Sequence, residues 1–143
     1  MESETRDRLS GLRVLVVEDL AVIRQLIRLM LESEGATVVE ACTGREAFEL
    51  AATQTFDVAL TDLGLPDMPG AAVINRILSA SHGRTPVAVV SGAHEADLAH
   101  ALEVGAERAF SKPMDWDEII RYLARRTKAR AVRNATPARR RPT

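Results

Sequence analysis

The stretch DVALTDLGLPDMPG, Asp57 to Gly70, runs an apolar segment straight into a carboxylate. Val58-Ala59-Leu60 ends in Thr61-Asp62, and Gly64, Pro66, Pro69 and Gly70 follow at once. The apolar run reads as a buried strand, and the Gly/Pro cluster as the loop that ends it. Such a strand delivers Asp62 to its own C-terminal tip. The flanking sequence supplies the reason.

On either side, short strand-like runs alternate with longer helical stretches. Arg13–Val17 is continuous and β-branched, as a strand covered on both faces requires. From Leu20 the period changes: Ile23, Leu26, Ile27, Met30 and Leu31 lie at helical spacing and predict a buried face, with Gly35 as a C-terminal stop. Thr37–Val39 is a second strand. Thr43-Gly-Arg-Glu46 has capping-box spacing for a helix to about Thr53. After the Val58–Thr61 strand, a helix is predicted from about Gly70 to Ser81. Pro86–Val90 is a fourth strand, with a helix to Val104 behind it. Ala109–Ser111 is a short fifth, and Asp115 caps a last helix through Arg126. Five successive βα units imply an α/β domain with a parallel sheet and helices on both faces.

The 143 residues suffice for one domain with a substantial core, and aromatic content of 3% makes that core aliphatic. No apolar run approaches the ~20 residues that span a bilayer. The charged N-terminus has no apolar leader segment. A single cysteine, Cys42, excludes an internal disulfide, so a reducing, cytoplasmic setting is expected. Cys42 itself reads as a small buried hydrophobe. Six of the 19 basic residues and none of the 20 acids fall in residues 127–143, which leaves an acidic body and a basic end. The expected division is a flexible segment 1–11, a folded body 12–127 and a disordered basic tail 128–143.

In a parallel sheet the strand C-termini share one edge, where ligands bind. The first strand delivers Glu18 and Asp19 there, the third Asp62, the fourth Ser91 and Gly92, and the fifth Lys112 and Pro113. Alone, each acid would be a solvated strand end. Together, three carboxylates repel unless neutralised, and a hard divalent cation such as Mg²⁺ with oxygen ligands is the natural counter-charge. An acyl phosphate on Asp62 would suit such a site, with Ser91 donating to one phosphoryl oxygen and Lys112 offsetting the charge of another.

VLVVED, DVALTDLGLPDMPG, VVSGA and FSKPM, in this order and spacing, make the chain from Leu12 to Arg126 resemble a receiver domain of two-component response regulators. The resemblance implies a doubly wound (βα)5, flavodoxin-like fold with strand order 2-1-3-4-5. It implies that Asp62 accepts a phosphoryl group from a histidine kinase or histidine phosphotransfer protein. Asp19 would ligate Mg²⁺ directly, Glu18 through water, and Asp62 and the Gly64 backbone carbonyl would complete the protein ligands. Ser91 is the switch hydroxyl, Lys112 pairs with the phosphoryl group, and the Lys112–Pro113 bond is cis. Self-catalysed phosphoryl acceptance and loss is then the only chemistry. Output is expected through protein contacts on the face of the last two helices and fifth strand, where receivers also form homodimers, without an attached effector domain. One position departs from the family: the aromatic expected three residues before the lysine is Ala109, and Phe110 follows it on the opposite strand face. Output is therefore expected to rely on backbone shifts at Ser91 and the helix after it. The small residues Gly64, Gly92 and Ala93 imply an open approach and fast hydrolysis.

Two other functions compete. A Mg²⁺-dependent phosphohydrolase with an Asp nucleophile needs an acid two residues past Asp62, where Gly64 stands. A nucleic-acid binder would act through Arg139-Arg140-Arg141, which carries no interleaved aromatics. His82, His94 and His100 lack ligand spacing and are assigned no chemistry. Trp116 reads as packing at the start of the last helix.

Overall fold

The computed structural model describes residues 7–135, with side chains placed for residues 7–127. Five strands alternate with five helices: β1 (Arg13–Val17), α1 (Ala21–Glu32), β2 (Thr37–Ala41), α2 (Gly44–Thr53), β3 (Val58–Thr61), α3 (Gly70–Ala80), β4 (Val87–Ser91), α4 (Glu95–Glu103), β5 (Arg108–Ser111) and α5 (Trp116–Ala135). All strand pairs are parallel, in the order β2-β1-β3-β4-β5.

Alternation along the strands explains why the central runs Val14–Val17, Val58–Leu60 and Val87–Val90 are apolar throughout, while the edge strands β2 and β5 carry Thr37, Glu40, Arg108 and Ser111. Val14, Val16, Val58, Leu60, Ala88, Val90 and Phe110 point to one face, where Ile27 and Leu31 of α1 and Ile119, Ile120 and Leu123 of α5 cover them. Leu15, Val17, Ala59, Val87 and Val89 point to the other, against Ala47 and Ala51 of α2, Val73, Ile74 and Ile77 of α3, and Ala101 of α4. Both faces are dry, so polar alternation has no place to appear.

α1 departs from its predicted face. Ile27 and Leu31 are buried, but Leu26 is 42% exposed, as are Leu20 (58%), Val22 (76%) and Leu29 (65%). The helix is apolar over more of its circumference than the sheet can cover. Its polar side is strapped to β2, where Arg24 Nε reaches Glu40 at 2.8 Å and Arg28 also pairs with Glu40.

The ends differ from the expected boundaries as well. The packed body begins before Leu12, because Leu9 is fully buried and its N–H donates to the Glu34 carbonyl at 2.8 Å. Gly35, at φ +98°, makes the turn that meets this segment; a Cβ there would sit 3.1 Å from Ser10 Cα. At the other end α5 continues to Ala135, past the expected boundary at 127. Residues 136–143 of the expected tail, with Arg139-Arg140-Arg141, lie outside the described residues, as do residues 1–6 of the expected N-terminal segment. Among the described residues, no helix is long and apolar enough to cross a membrane.

Candidate functional site

The sheet order places the site. The chain passes from β1 out to β2, then back across β1 to β3, so β1 and β3 are neighbours whose connections leave in opposite directions. Val17 pairs with Thr61, and the Asp62 N–H donates to the Val17 carbonyl at 3.2 Å. The residues just past those positions, Glu18-Asp19 and Asp62, are therefore held side by side. One carboxylate oxygen from each of the three lies within 4.8 Å of the others. Ser91 pairs with Ser111, and the Lys112 N–H donates to the Ser91 carbonyl at 3.0 Å, which brings the hydroxyl and the ammonium to the same edge.

Asp62 Oδ1 accepts from the backbone N–H groups of Leu63 (2.7 Å) and Gly64 (3.2 Å), and Oδ2 lies 3.4 Å from Lys112 Nζ. Burial pushes the Asp62 carboxyl up, but bonds from Ser91, Gly64 and Leu63 together with the Lys112 charge hold it below its ordinary value. Asp62 is thus an ionised carboxylate at neutral pH.

Glu18 differs from Asp62. It is 2% exposed, accepts from the Leu20 N–H at 3.2 Å and lies 3.6 Å from Lys112 Nζ. Burial is the largest influence and raises its pKa, and the Asp62 charge adds to the rise. One ammonium does not neutralise three acids. A buried carboxyl held above its ordinary value beside two others is an electrostatic deficit that a divalent cation removes. The donors are hard oxygens, which suit Mg²⁺.

The site opens into a cavity of about 680 Å³ between α4 and the segment that leads from β3 to α3. Asp62, Gly64, Gly70, Ser91, Gly92 and Ala93 line its inner wall, and Asp97 and His100 of α4 its outer wall. Nothing approaches within 4 Å of where a Cβ on Gly64 would lie. Access to Asp62 is wide on this side.

The structure brings Glu18, Asp19, Asp62, Gly64, Ser91 and Lys112 together at this edge, with Gly92 beside Ser91 in the cavity wall. The Lys112–Pro113 bond is cis, as the resemblance implies. Ala109 packs with the α2–α4 cluster and Phe110 with the α1–α5 cluster, so they face opposite sides of the sheet as expected. Phe110 is 4% exposed, edge-on to Tyr122 at 5.6 Å and under the Arg108 guanidinium at 4.6 Å. Cys42 is a correction: it is exposed, because it lies one residue past the last β2 position, and its N–H is taken by Glu46 Oε1 at 2.8 Å. His82, His94 and His100 are all exposed. Trp116 packs against the α1–α5 core.

Sequence reasoning missed Arg24, whose Nη1 donates to the Glu18 backbone carbonyl at 2.8 Å and so helps hold the acid strand end. It also missed Asp67, which reaches across to α2. Neither lies at a strand tip, and both bond to backbone groups, which are alike at every position and leave no spacing signal.

The response regulator receiver domain model matches residues 14–124. The cell cycle response regulator CtrA of Brucella ovis is 39% identical over 124 residues, covering 84% of this chain and 53% of the relative. The chain thus spans about half the length of the curated relatives it matches. Among solved structures, a CheY-like receiver from Methanospirillum hungatei has a TM-score of 0.73 at 28% identity, covering 84% of this chain and 99% of that one. The receiver domain of sensor histidine kinase PA1611 from Pseudomonas aeruginosa, solved with magnesium coordinated in its active-site cleft, has a TM-score of 0.73 at 30% identity, covering 81% and 97%. Motifs, strand order and acid edge agree with these matches, and the chain belongs to the response regulator receiver domain family.

Proposed function

We propose that Asp62 accepts a phosphoryl group from a phosphohistidine on a histidine kinase or histidine phosphotransfer protein. The carrying observation is geometric: the Asp62 carboxylate sits beside the Glu18 and Asp19 oxygens, 3.4 Å from Lys112 Nζ and within reach of the Ser91 hydroxyl. An Asp62 oxygen attacks phosphorus, the P–N bond breaks, and its electron pair returns to the donor imidazole. Glu18, Asp19, Asp62 and the Gly64 carbonyl would hold Mg²⁺, which supplies charge neutralisation for the phosphoryl oxygens. Lys112 shifts from the carboxylates toward the new dianion, and Ser91, within reach of Asp62, turns its hydroxyl to a phosphoryl oxygen. Loss of the group reverses the bookkeeping of bonds: water attacks phosphorus and the P–O bond to Asp62 breaks. The open wall at Gly64, Gly92 and Ala93 favours rapid loss by this route.

Leu20, Val22, Leu26 and Leu29 support a protein donor. α1 starts at the acid edge, and its uncovered apolar residues offer the donor's helices a surface to rest on. Output leaves through the face of α4, β5 and α5, where Leu102 is 47% exposed and Arg108 pairs with Glu118 at 3.2 Å. A target protein or a second copy would bind there. Self-catalysed acceptance and loss is the only chemistry this reading gives the chain. The phosphohydrolase reading lacks an acid at Gly64 to protonate a leaving group.

Intact mass after incubation with acetyl phosphate and Mg²⁺ tests the proposal. One phosphoryl adduct is expected, absent from Asp62→Asn and absent without Mg²⁺. A wild type that takes neither the phosphoryl group nor the mimic beryllofluoride would overturn it.

A further inference from the structure

Asp67 is an exposed carboxylate with two dedicated partners away from the acid cluster. Oδ1 accepts from the Gly44 N–H at 2.9 Å and Oδ2 from the Arg45 N–H at 3.0 Å. These are the first two backbone donors of α2, which have no partner within their own helix. The next donor, Glu46 N–H, is taken by Thr43 Oγ1 at 3.0 Å. A carboxylate at this position is favoured by the helix dipole as well as by charge-assisted bonds.

Packing reinforces the tie. Gly44 is buried beneath Met68: a Cβ at Gly44 would lie 2.7 Å from Met68 Sδ. At the far end of the same segment Leu63 lies on Gly70, where a Cβ would come within 2.6 Å of its Cδ2. The segment from Asp62 to Gly70 is therefore pinned at both ends. Between the pins lies Gly64, exposed and bare of neighbours on its Cα side. Its carbonyl has no side chain to steer it, and only the path of the backbone sets where that oxygen points. The same path aims the Leu63 and Gly64 N–H groups at Asp62 Oδ1.

We propose that Asp67 is a positioning residue for the metal and phosphoryl site: by clamping the β3–α3 segment to the start of α2, it fixes the Gly64 carbonyl and the two amides around Asp62. This rests on the phosphoacceptor reading above. It makes cation affinity depend on a carboxylate that never touches the cation, and it makes α2 part of the site's support.

Mg²⁺ affinity by calorimetric titration of the whole chain, with amide hydrogen exchange at Leu63 and Gly64 in EDTA, tests the clamp. Thr43→Ala is the control, since it removes a cap bond from the same helix end without touching the segment. Asp67→Ala is expected to weaken Mg²⁺ binding by about tenfold, the scale of lost outer-shell support at metal sites, and to speed exchange at both amides. Asp67→Asn, which keeps one accepting oxygen, falls between and serves if the alanine variant does not fold. Thr43→Ala lowers the melting temperature but binds Mg²⁺ as the wild type does. Wild-type affinity in both Asp67 variants overturns the clamp, and so does an equal loss in Thr43→Ala, which would reduce the effect to general loosening of α2. A wild type that binds no Mg²⁺ removes the phosphoacceptor reading, and the clamp falls with it.

Discussion

Replacing Glu18 by Gln should stabilise this protein while destroying its cation site. Glu18 is 2% exposed and lies no more than 4.8 Å from a carboxylate oxygen of each of Asp19 and Asp62. At an effective dielectric of about 20, two such repulsions amount to about 7 kcal/mol. Lys112 at 3.6 Å returns about 5 kcal/mol by the same measure, and shares its charge with Asp62. The net is about 2 kcal/mol against the charged form, before burial adds to it. The amide of the Glu18→Gln variant would keep an oxygen for the Leu20 N–H and lose the repulsion, so the melting temperature in EDTA at pH 7 should rise by about 6 °C. The pH dependence has a definite sign. A carboxyl with a raised folded pKa costs nothing below its ordinary value of 4.5 and destabilises as pH climbs through the folded value. The gap between variant and wild type should therefore close as pH falls below 4.5. Saturating Mg²⁺ should stabilise the wild type by about 2–3 kcal/mol at a hundredfold excess over Kd, and leave the variant unmoved. Differential scanning calorimetry measures all three arms. A Glu18→Gln protein less stable than wild type in EDTA at pH 7 would refute the reasoning, because the carboxylate would then be net paired.

Two further outcomes are expected. Leu29→Glu places a charge on the uncovered α1 surface and should slow phosphoryl transfer from a cognate phosphohistidine protein more than tenfold, worth about 1.4 kcal/mol of docking, while labelling by acetyl phosphate is unchanged; radiolabel transfer compares the two donors. Burial pushes the Glu107 carboxyl up, but Arg126 and the Tyr122 hydroxyl win and hold it low, so its stabilisation is present above pH 4.5 and lost as pH falls through the folded value. Glu107→Gln should accordingly be less stable than wild type at pH 7 and level with it in strong acid, as followed by urea unfolding at each pH.

Much of the fold was legible because the central strands are short, uninterrupted apolar runs and because Thr43 before α2 and Pro69-Gly70 at α3 mark helix starts; α1, which begins after Leu20 with no side-chain cap, was legible from its apolar period alone. Thr43 does cap α2 through Glu46 N–H, although Glu46 reaches back to Cys42 rather than to Thr43 itself. The site was legible for a topological reason: in a parallel sheet, every functional side chain sits at a strand end or one or two residues past it, so strand ends locate it without knowledge of contacts. What could not be read depends on coverage and on distant pairing. The apolar period of α1 shows where Leu26 falls on the helix, but whether a neighbour covers it depends on which elements pack there, and Leu26 is left exposed. Cys42 illustrates the same limit one residue beyond a strand. Asp67 pairs with backbone N–H groups 22 and 23 residues away, and backbone donors are identical at every position of the sequence.

The missing aromatic at Ala109 changes how a phosphoryl group on Asp62 would be felt elsewhere. Phe110 cannot take over the part, since it is committed to the α1–α5 core between Arg108 and Tyr122. On the proposed reading, the link that remains from the site to the α4–β5–α5 face is the backbone itself. The Ser91 hydroxyl and Lys112 Nζ both answer to Asp62, and the two residues are joined by the bond from Lys112 N–H to the Ser91 carbonyl. A phosphoryl group that draws both side chains inward therefore moves the ends of β4 and β5 together. Ser91 Oγ now accepts from the Ala93 N–H at 3.3 Å, so turning the hydroxyl toward phosphate also loosens the segment that leads into α4. Both displacements would lead toward the α4–β5–α5 face without a side-chain rotor between them, since a tightly packed sheet edge transmits such shifts because its interior resists compression.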